Sequence, residues 1–144
     1  MIRKLTPQDH VLFLDLCREF YHSSAVMHPI PESYYENTFQ ELMRSEVYTQ
    51  CYILEYEGQP AGYALLSKSY SAEAGGMVVW IEELYLRPDF RSHGIGSEFF
   101  AFLEQEHPAA RYRLEIEPDN ERAAKLYRSR GYEVLPYVQM IKDI

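Results

Sequence analysis

Hydrophobic positions follow two different spacings along the chain, and the changes between them mark the predicted elements. Ile2–Leu5 has the pattern of a short strand, and Thr6 with Pro7 then favours the start of a helix. Apolar residues recur at helical spacing up to Tyr21 and again from about Glu32 to Ser45, which predicts two helices. A proline-containing connection separates them.

Strand-like runs dominate the middle of the chain. Residues 51–56 and 61–69 flank a Glu57–Pro60 turn and predict a hairpin, and a central strand follows from about Val78 to Leu86. The rest of the chain predicts a helix ending near 107, a strand at 112–117, a helix at 120–130 ending at Gly131, and two short terminal strands at 132–135 and 138–142.

The central strand leads into a glycine-containing loop and a helix, within the sequence WIEELYLRPDFRSHGIGSEF at residues 80–99. Pro88 ends the strand because proline cannot donate to a ladder. The loop at Arg91–Ser97 is followed by apolar residues at helical spacing. A loop that opens a helix directs successive backbone N–H groups at one place, which predicts an anion-binding site.

The glycine pattern restricts which anion could bind. The chain has no GxxxxGK[ST] phosphate loop, and no third glycine follows Gly94 and Gly96 at the spacing of a dinucleotide fingerprint. A nucleotide-binding module is therefore disfavoured. The remaining signal is an R-x-x-G-x-G string that begins at Arg91, directly after a strand.

Two adjacent carboxylates, Glu82 and Glu83, interrupt the central strand. In simple alternation Glu82 shares a face with Leu84, whereas Glu83 shares one with Ile81 and Tyr85. Because carboxylates are costly to bury without partners, at least one of them must face a wet cleft or a cation. A structural ion pair and a general base for an ammonium substrate are both open interpretations.

Composition indicates one folded domain, spanning residues 1–144, and restricts its partners. The chain is 47% hydrophobic and 15% aromatic, which argues against disorder. Its formal net charge of −8 argues against nucleic acid and anionic membranes as partners. An acidic chain with 13 tyrosines suits a cationic small substrate, although it equally suits a merely soluble acidic protein.

The two cysteines suggest neither a metal site nor a disulfide framework. Cys17 and Cys51 lack metal-ligand spacing, so no metal is expected. Without a signal peptide or a long apolar run, the chain is expected to be cytoplasmic, with free thiols. A nucleophilic cysteine would need a neighbouring base, and nothing in the sequence places His10, His22 or His28 beside either thiol.

The loop after the carboxylate-bearing strand resembles the coenzyme A loop of the GNAT superfamily of N-acetyltransferases. A second segment, EPDNERAAKLYRSRGY at 117–132, matches N-x-x-A-x-x-x-Y-x-x-x-G-[FY] and resembles another characteristic segment of these enzymes. The resemblance implies an α/β (α+β) GNAT fold. Its features would be a mixed, mostly antiparallel sheet of about six or seven strands, four flanking helices and splayed central strands.

The resemblance also implies direct transfer of an acetyl group from acetyl-CoA to a primary amine. Glu82 would act as general base, with Glu83 as the second choice, and Tyr127 would protonate the departing thiolate. The residues implied in binding acetyl-CoA are Leu84, Tyr85, Leu86, Arg91, Ser92, His93, Gly94, Ile95, Gly96, Ser97, Asn120 and Ala123. The family often has glycine at the position of Ser92, so a positive φ there would weaken the loop assignment.

The sequence restricts the identity of the acceptor amine less than it restricts the identity of the acetyl donor. Residues 80–97 look most like the diamine and polyamine acetyltransferase branch, which implies a polyamine or another small cationic amine. Glu83 and the residues Met27 and His28, in the connection between the first two helices, would lie at the acceptor pocket. Aminoglycosides, amino acids and protein or peptide amines are alternatives. A non-catalytic acyl-CoA sensor, which would need neither Glu82 nor Tyr127, is another, and a homodimer is also left open.

Overall fold

The computed structural model describes all 144 residues, with five strands in one sheet and four helices that cover it. The elements in chain order are β1 (Ile2–Lys4), α1 (His10–Tyr21), α2 (Glu32–Arg44), β2 (Thr49–Tyr56), β3 (Gln59–Ser71), β4 (Gly76–Leu86), α3 (Ile95–Glu106), β5 (Arg111–Leu114) and α4 (Glu121–Ser129). None of the helices combines the length and the apolar character needed to cross a bilayer.

The strands lie side by side in chain order. β1 to β4 are antiparallel, whereas β5 pairs parallel to β4. The hairpin between β2 and β3 turns at Glu57 and Gly58, with φ angles of 50° and 78°, as a tight hairpin turn requires. A parallel pair needs a crossover connection, and α3 supplies it between β4 and β5.

Two apolar cores cover the two faces of the sheet. On one face α1 and α2 bury residues such as Phe13 and Phe39 against Tyr63 of β3. On the other face α3 buries Phe99 and Leu103 against β2, β3 and β4. Both cores are completely shielded from water at their centres, so the sheet is fixed from both sides and can hold a cleft at one edge.

Glu82 is the extra residue of a β-bulge in β4. Across the β3–β4 ladder Glu83 pairs with Leu65, and Ile81 pairs with the next residue of β3, so Glu82 has no partner. Ile81 consequently packs in the α3-side core, whereas Tyr85 packs in the α1–α2 core. The prediction from simple alternation that Ile81 shares a face with Glu83 and Tyr85 is therefore wrong.

The mixed, mostly antiparallel sheet and the four helices agree with the predicted fold class, but the sheet has five strands instead of six or seven. The strands predicted at 132–135 and 138–142 do not form, and the strand predicted at 112–117 ends at Leu114. Residues 138–144 make no backbone hydrogen bond within the chain. A strand exists only with a neighbour that satisfies its N–H and C=O groups, and no neighbour reaches the terminal segment.

Candidate active site

A cavity opens where β4 and β5 separate. Their last paired residues are Ile81 and Leu114, but β4 continues to Leu86 and leaves the edge that faces β5 without a strand partner. The cavity at this fork measures about 410 Å³. The starts of α3 and α4 line one part of it, and residues 23–25 after α1 line another.

The loop before α3 presents unpaired donors to this cavity. None of the six backbone N–H groups from Ser92 to Ser97 has an acceptor within the chain. Gly94 caps the helix with φ at 78°, a conformation that glycine adopts without cost. A Cβ on Gly96 would lie 3.0 Å from Leu126 Cδ2, so glycine permits close packing of α3 against α4. Free N–H groups at a helix N-terminus favour a bound anion.

Two arginines flank the loop. Arg91 donates from Nε to the carbonyl of Leu86 at 3.0 Å, which holds its side chain at the end of β4. Arg122 donates from Nη2 to Ser92 Oγ at 2.8 Å and thus reaches the loop from α4. The sequence prediction missed Arg122, because its only signal is a position two residues after Asn120, and its contact with the loop depends on the packing of α4.

Ser92 has a φ of 65°, in the left-handed region. This is the conformation that the sequence prediction identified as unfavourable to the loop assignment. A non-glycine residue there costs about 1–2 kcal/mol. The Ser92 hydroxyl accepts a hydrogen bond from Arg122, so the side chain joins the loop to α4, which a glycine could not do.

Glu82 lies exposed at the fork, because the bulge turns it out of the ladder. Its Oε1 atom accepts a hydrogen bond of 2.5 Å from Ser67 Oγ, and its Oε2 atom has no partner within the chain. One carboxylate oxygen of Glu82 is therefore free to accept a proton from water or from a bound amine.

Glu83 lies deeper, and both of its carboxylate oxygens already accept hydrogen bonds. Tyr63 donates to Oε1 at 2.6 Å, and Tyr21 donates to Oε2. Burial raises the pKa of Glu83, and the two tyrosine hydroxyls oppose that shift. Burial, followed by the charge of Glu83, raises the pKa of Tyr21 and of Tyr63, so both phenols remain donors. The sequence prediction missed both tyrosines because they lie 62 and 20 residues away from the carboxylate.

Tyr127 of α4 lines the cavity. Its ring packs edge-on against Phe100, with centroids 5.7 Å apart, and its hydroxyl makes no hydrogen bond within the chain. Burial raises the pKa of Tyr127, which keeps the phenol protonated. Asn120 caps α4 by accepting from the Ala123 N–H at 3.2 Å.

The predicted acetyl-CoA residues line the cavity with one exception. The side chain of His93 bonds to the Arg91 carbonyl, and His93 does not line the cavity. Of the predicted acceptor residues Glu83 lines it, whereas Met27 and His28 are exposed and do not. Ser24, which lies in the same connection between the first two helices, does line it, and the lining residues that the sequence prediction missed are Phe20, Ser23, Ala25, Ile81, Leu114, Glu115, Ile116, Glu117, Arg122 and Leu126.

A forked sheet beside a loop of free N–H groups is the arrangement of one known class of transferases. Residues 13–132 match the family described as "Acetyltransferase (GNAT) family". This match spans most of the chain, and the chain therefore belongs to the GNAT acetyltransferase family. The predicted superfamily and enzyme class are thereby confirmed.

Two curated proteins are similar in sequence over a shorter stretch. A thialysine N-epsilon-acetyltransferase from Bos taurus is 32% identical over 91 residues, which cover 58% of this chain and 53% of that protein. An uncharacterized N-acetyltransferase from Lactobacillus delbrueckii subsp. lactis is 33% identical over 85 residues, with coverage of 56% and 49%. The chain spans about half the length of the curated relatives it matches.

Solved structures share the fold over nearly the whole chain. The aminoglycoside N-acetyltransferase AAC(6')-Iy in complex with CoA has a TM-score of 0.80 at 17% identity, covering 99% of this chain and 93% of that one. The ribosomal-protein-alanine N-acetyltransferase from Brucella melitensis has a TM-score of 0.72 at 16% identity, with coverage of 100% and 99%. At such identities the likeness concerns the fold alone, and it confirms the predicted GNAT fold.

Proposed function

We propose that this chain transfers an acetyl group from acetyl-CoA to a primary amine of a small cationic molecule. The observation that supports this proposal most is that one cavity combines a loop of free N–H groups, a partly unpaired carboxylate and a protonated tyrosine. The first feature suits a diphosphate, and the other two suit proton transfer at an amine and a thiolate.

The residues present fit acetyl-CoA. The N–H groups from Ser92 to Ser97, with Arg91 and Arg122 on either side, would hold the pyrophosphate by charge-assisted hydrogen bonds. The unpaired edge of β4 around Leu84 and Leu86 would hold the pantetheine arm as an added strand. The helix cap Asn120 would lie beside that arm.

Glu82 is the proposed general base. Glu82 lines the cavity and its Oε2 atom has no partner within the chain, so it would take a proton from the ammonium group of the acceptor, directly or through one water molecule. Glu83 has no free carboxylate oxygen, because Tyr21 and Tyr63 occupy both. The proposed role of Glu83 is therefore to attract the cationic acceptor and not to act as the general base.

The transfer then needs a hydrogen-bond donor for the thioester carbonyl oxygen and an acid for the departing sulfur. The neutral amine nitrogen attacks the thioester carbonyl carbon, and a backbone N–H of β4 near Leu84 would stabilise the charge that develops on the carbonyl oxygen. The carbon–sulfur bond breaks, Tyr127 gives its phenolic proton to the departing sulfur, and the nitrogen releases to solvent water the one proton it still carries in excess of the amide product. The raised pKa of Tyr127 ensures that this proton is present at neutral pH.

Charge at the cavity supports a cationic acceptor. Four carboxylates line it, on Glu82, Glu83, Glu115 and Glu117, while the two arginines lie at the loop end. Residues 23–25 and Phe20 form the wall nearest α1. A polyamine or a diamine fits this arrangement, because one ammonium group could stay paired with a carboxylate while another amine reacts.

Thiol release from acetyl-CoA tests the proposal, with putrescine, spermidine, lysine analogues, aminoglycosides and a basic peptide as acceptors. We expect release with a small di- or polyamine and loss of that release in Tyr127→Phe. Calorimetric titration with CoA tests CoA binding separately from acetyl transfer. Binding without turnover on any amine would favour an acyl-CoA sensor, and absence of binding would contradict the proposed function altogether.

A further inference from the structure

Glu82 has no register partner on either side of its strand. On one side, the bulge removes it from the pairing between β3 and β4. On the other side, the pairing of β4 with β5 ends at Ile81 and Leu114, one residue before Glu82. Pairing with neighbouring strands is what normally fixes the direction of a side chain in a sheet. The carboxylate proposed as the general base therefore needs another contact to fix its direction.

Ser67 of β3 provides that contact. Its hydroxyl donates to Glu82 Oε1 at 2.5 Å, and no other side chain of the protein binds this carboxylate. A serine hydroxyl has a single proton to donate, and this hydrogen bond uses it. Because Oε1 is occupied, the bond leaves Oε2 as the oxygen that can accept a proton from an amine.

The backbone at Ser67 is held from both sides. Ser67 pairs with Thr49 of β2 and with Trp80 of β4. Trp80 pairs in turn with Arg113 of β5, whose guanidinium carbon lies 4.2 Å from the centroid of the indole ring. The four residues form one row across four strands, just before the fork opens. A residue with a fixed backbone therefore holds a carboxylate that the strand pairing leaves free.

Ser67 also lies on the side of the sheet from which we expect the acceptor to enter. Leu65, two residues earlier, packs in the α1–α2 core, and strand alternation places Ser67 on the same side. Residues 23–25, which follow α1, line the cavity. Tyr63, also of β3, donates its hydroxyl to Glu83. One strand thus supplies a hydroxyl to each of the two adjacent carboxylates.

We propose that Ser67 is a positioning residue for acetyl transfer, which directs the Oε2 atom of Glu82 at the acceptor amine. This inference rests on the proposed function, because the direction of Glu82 matters only where Glu82 acts as the general base. The hydrogen bond is exposed, so water competes for both groups and the bond adds little to the stability of the fold. Its effect falls on the rate of proton transfer, which depends on the orientation of the base.

Kinetics of thiol release from acetyl-CoA test this inference, with the fastest acceptor among putrescine, spermidine, lysine analogues and aminoglycosides. Ser67→Ala should lower kcat by about 10-fold and leave the KM for the amine and the Kd for CoA unchanged, because no binding contact is removed. Ser67→Thr keeps a hydroxyl on the same carbon and should restore kcat to within about 2-fold of wild type. Ser69→Ala is the matched control, because Ser69 lies two residues further along β3, is exposed and makes no side-chain hydrogen bond. This control should keep the wild-type kcat.

A double-mutant cycle with Glu82→Gln distinguishes positioning of the base from a general structural effect. Since Ser67 acts through the carboxylate, Ser67→Ala should cause no further loss of kcat in a chain that already carries Glu82→Gln. A substitution that merely disturbed the sheet would instead lower kcat by the same factor in both backgrounds.

Three results would overturn the inference while the proposed function stands: an unchanged kcat in Ser67→Ala, an equal loss of kcat in the Glu82→Gln background, or a Ser67→Thr variant as slow as Ser67→Ala. Wild type that releases no thiol with any of the amines would contradict the proposed function itself, and this inference with it.

Discussion

Glu83 Oε1 accepts a hydrogen bond of 2.6 Å from Tyr63, which lies on the neighbouring strand β3 diagonally across the ladder. Tyr21 of α1 binds the other carboxylate oxygen, so the carboxylate connects the sheet to a helix. Its neighbour Glu82, by contrast, keeps one oxygen free. Two adjacent residues of the same chemical type thus have different environments, and the first two predictions separate their roles.

The substitution Glu82→Gln tests the proposed general base. It keeps the size of the side chain but removes the proton acceptor, so we expect kcat/KM to fall by about 10²- to 10⁴-fold. The dissociation constant for CoA, measured by calorimetry, should not change. Glu106→Gln, at the exposed end of α3, is the matched control and should leave both constants unchanged. A larger loss of kcat/KM in Glu83→Gln than in Glu82→Gln would transfer the role of base to Glu83.

The pKa of Glu83 predicts how stability depends on pH. Burial raises that pKa above the usual 4.5. Between the two values the folded chain binds more protons at Glu83 than the unfolded chain, so its contribution to the free energy of unfolding falls as pH rises. Urea unfolding of wild type and Glu83→Gln over a series of pH values from mildly acidic to neutral should show wild type losing stability relative to the variant as pH increases. An opposite slope would show that the tyrosine hydrogen bonds dominate over burial.

Tyr127→Phe tests the proposed acid. The hydroxyl makes no hydrogen bond within the chain, and the ring packing against Phe100 is kept, so the free energy of unfolding should stay within about 0.5 kcal/mol of wild type. Turnover should nevertheless fall by about 10²-fold or more, since the thiolate would leave without a proton. Tyr34→Phe, an exposed tyrosine on α2, is the control. Equal turnover in Tyr127→Phe and wild type would exclude this tyrosine as the acid.

The two loop arginines should act on the phosphates and not on the thioester end. Arg91→Ala and Arg122→Ala should each weaken CoA binding by about 10-fold, the effect of one lost hydrogen bond to a charged group. The KM for acetyl-pantetheine, which lacks the pyrophosphate, should not change. Arg44→Ala removes an arginine whose partner is Glu41 on the surface of α2, and it should leave both values as in wild type. If the KM for acetyl-pantetheine changed by the same factor, the arginines would act on the fold and not on the phosphates.

The parts of the site that could be predicted from sequence are those with a local signal. The end of β4, the glycines and the start of α3 follow one another, so the position of the Arg91–Ser97 loop was evident from 80–99 alone. The bulge at Glu82 was not, because an extra residue in a strand is defined only by its pairing with β3. The partners of Glu83 come from α1 and β3, and only the tertiary fold brings them together.

The same distinction explains the C-terminal error. The apolar pattern at 132–135 and 138–142 is that of strands, yet no strand forms within one chain. Propensity describes a fit to a sheet surface, while pairing needs an available edge at the correct place. The open edge of β5 lies beside residues 131–135 but forms no ladder with them, and residues 138–144 make no backbone hydrogen bond. Sequence pattern alone does not specify whether a partner edge is available.

Gly94→Ala tests whether the loop conformation itself serves binding, and Gly58→Ala is its matched control. Both glycines have a φ of 78°, and a Cβ at either position would have nothing within 4 Å, so each substitution introduces backbone strain without a clash. The left-handed cost of about 1–2 kcal/mol is partly offset by the lower entropy of the unfolded alanine chain, and we expect both variants to lose about 1 kcal/mol of unfolding free energy.

The two glycine variants should differ in their affinity for CoA. Gly58 lies in the hairpin turn between β2 and β3, whereas Gly94 lies among the six free N–H groups whose directions its φ angle sets. Calorimetric titration should therefore show wild-type affinity in Gly58→Ala and affinity reduced by about 10-fold or more in Gly94→Ala, because a relaxed loop no longer points all its N–H groups at one anion. Wild-type affinity in Gly94→Ala, at an equal loss of stability, would mean that the phosphates are bound by the arginines alone.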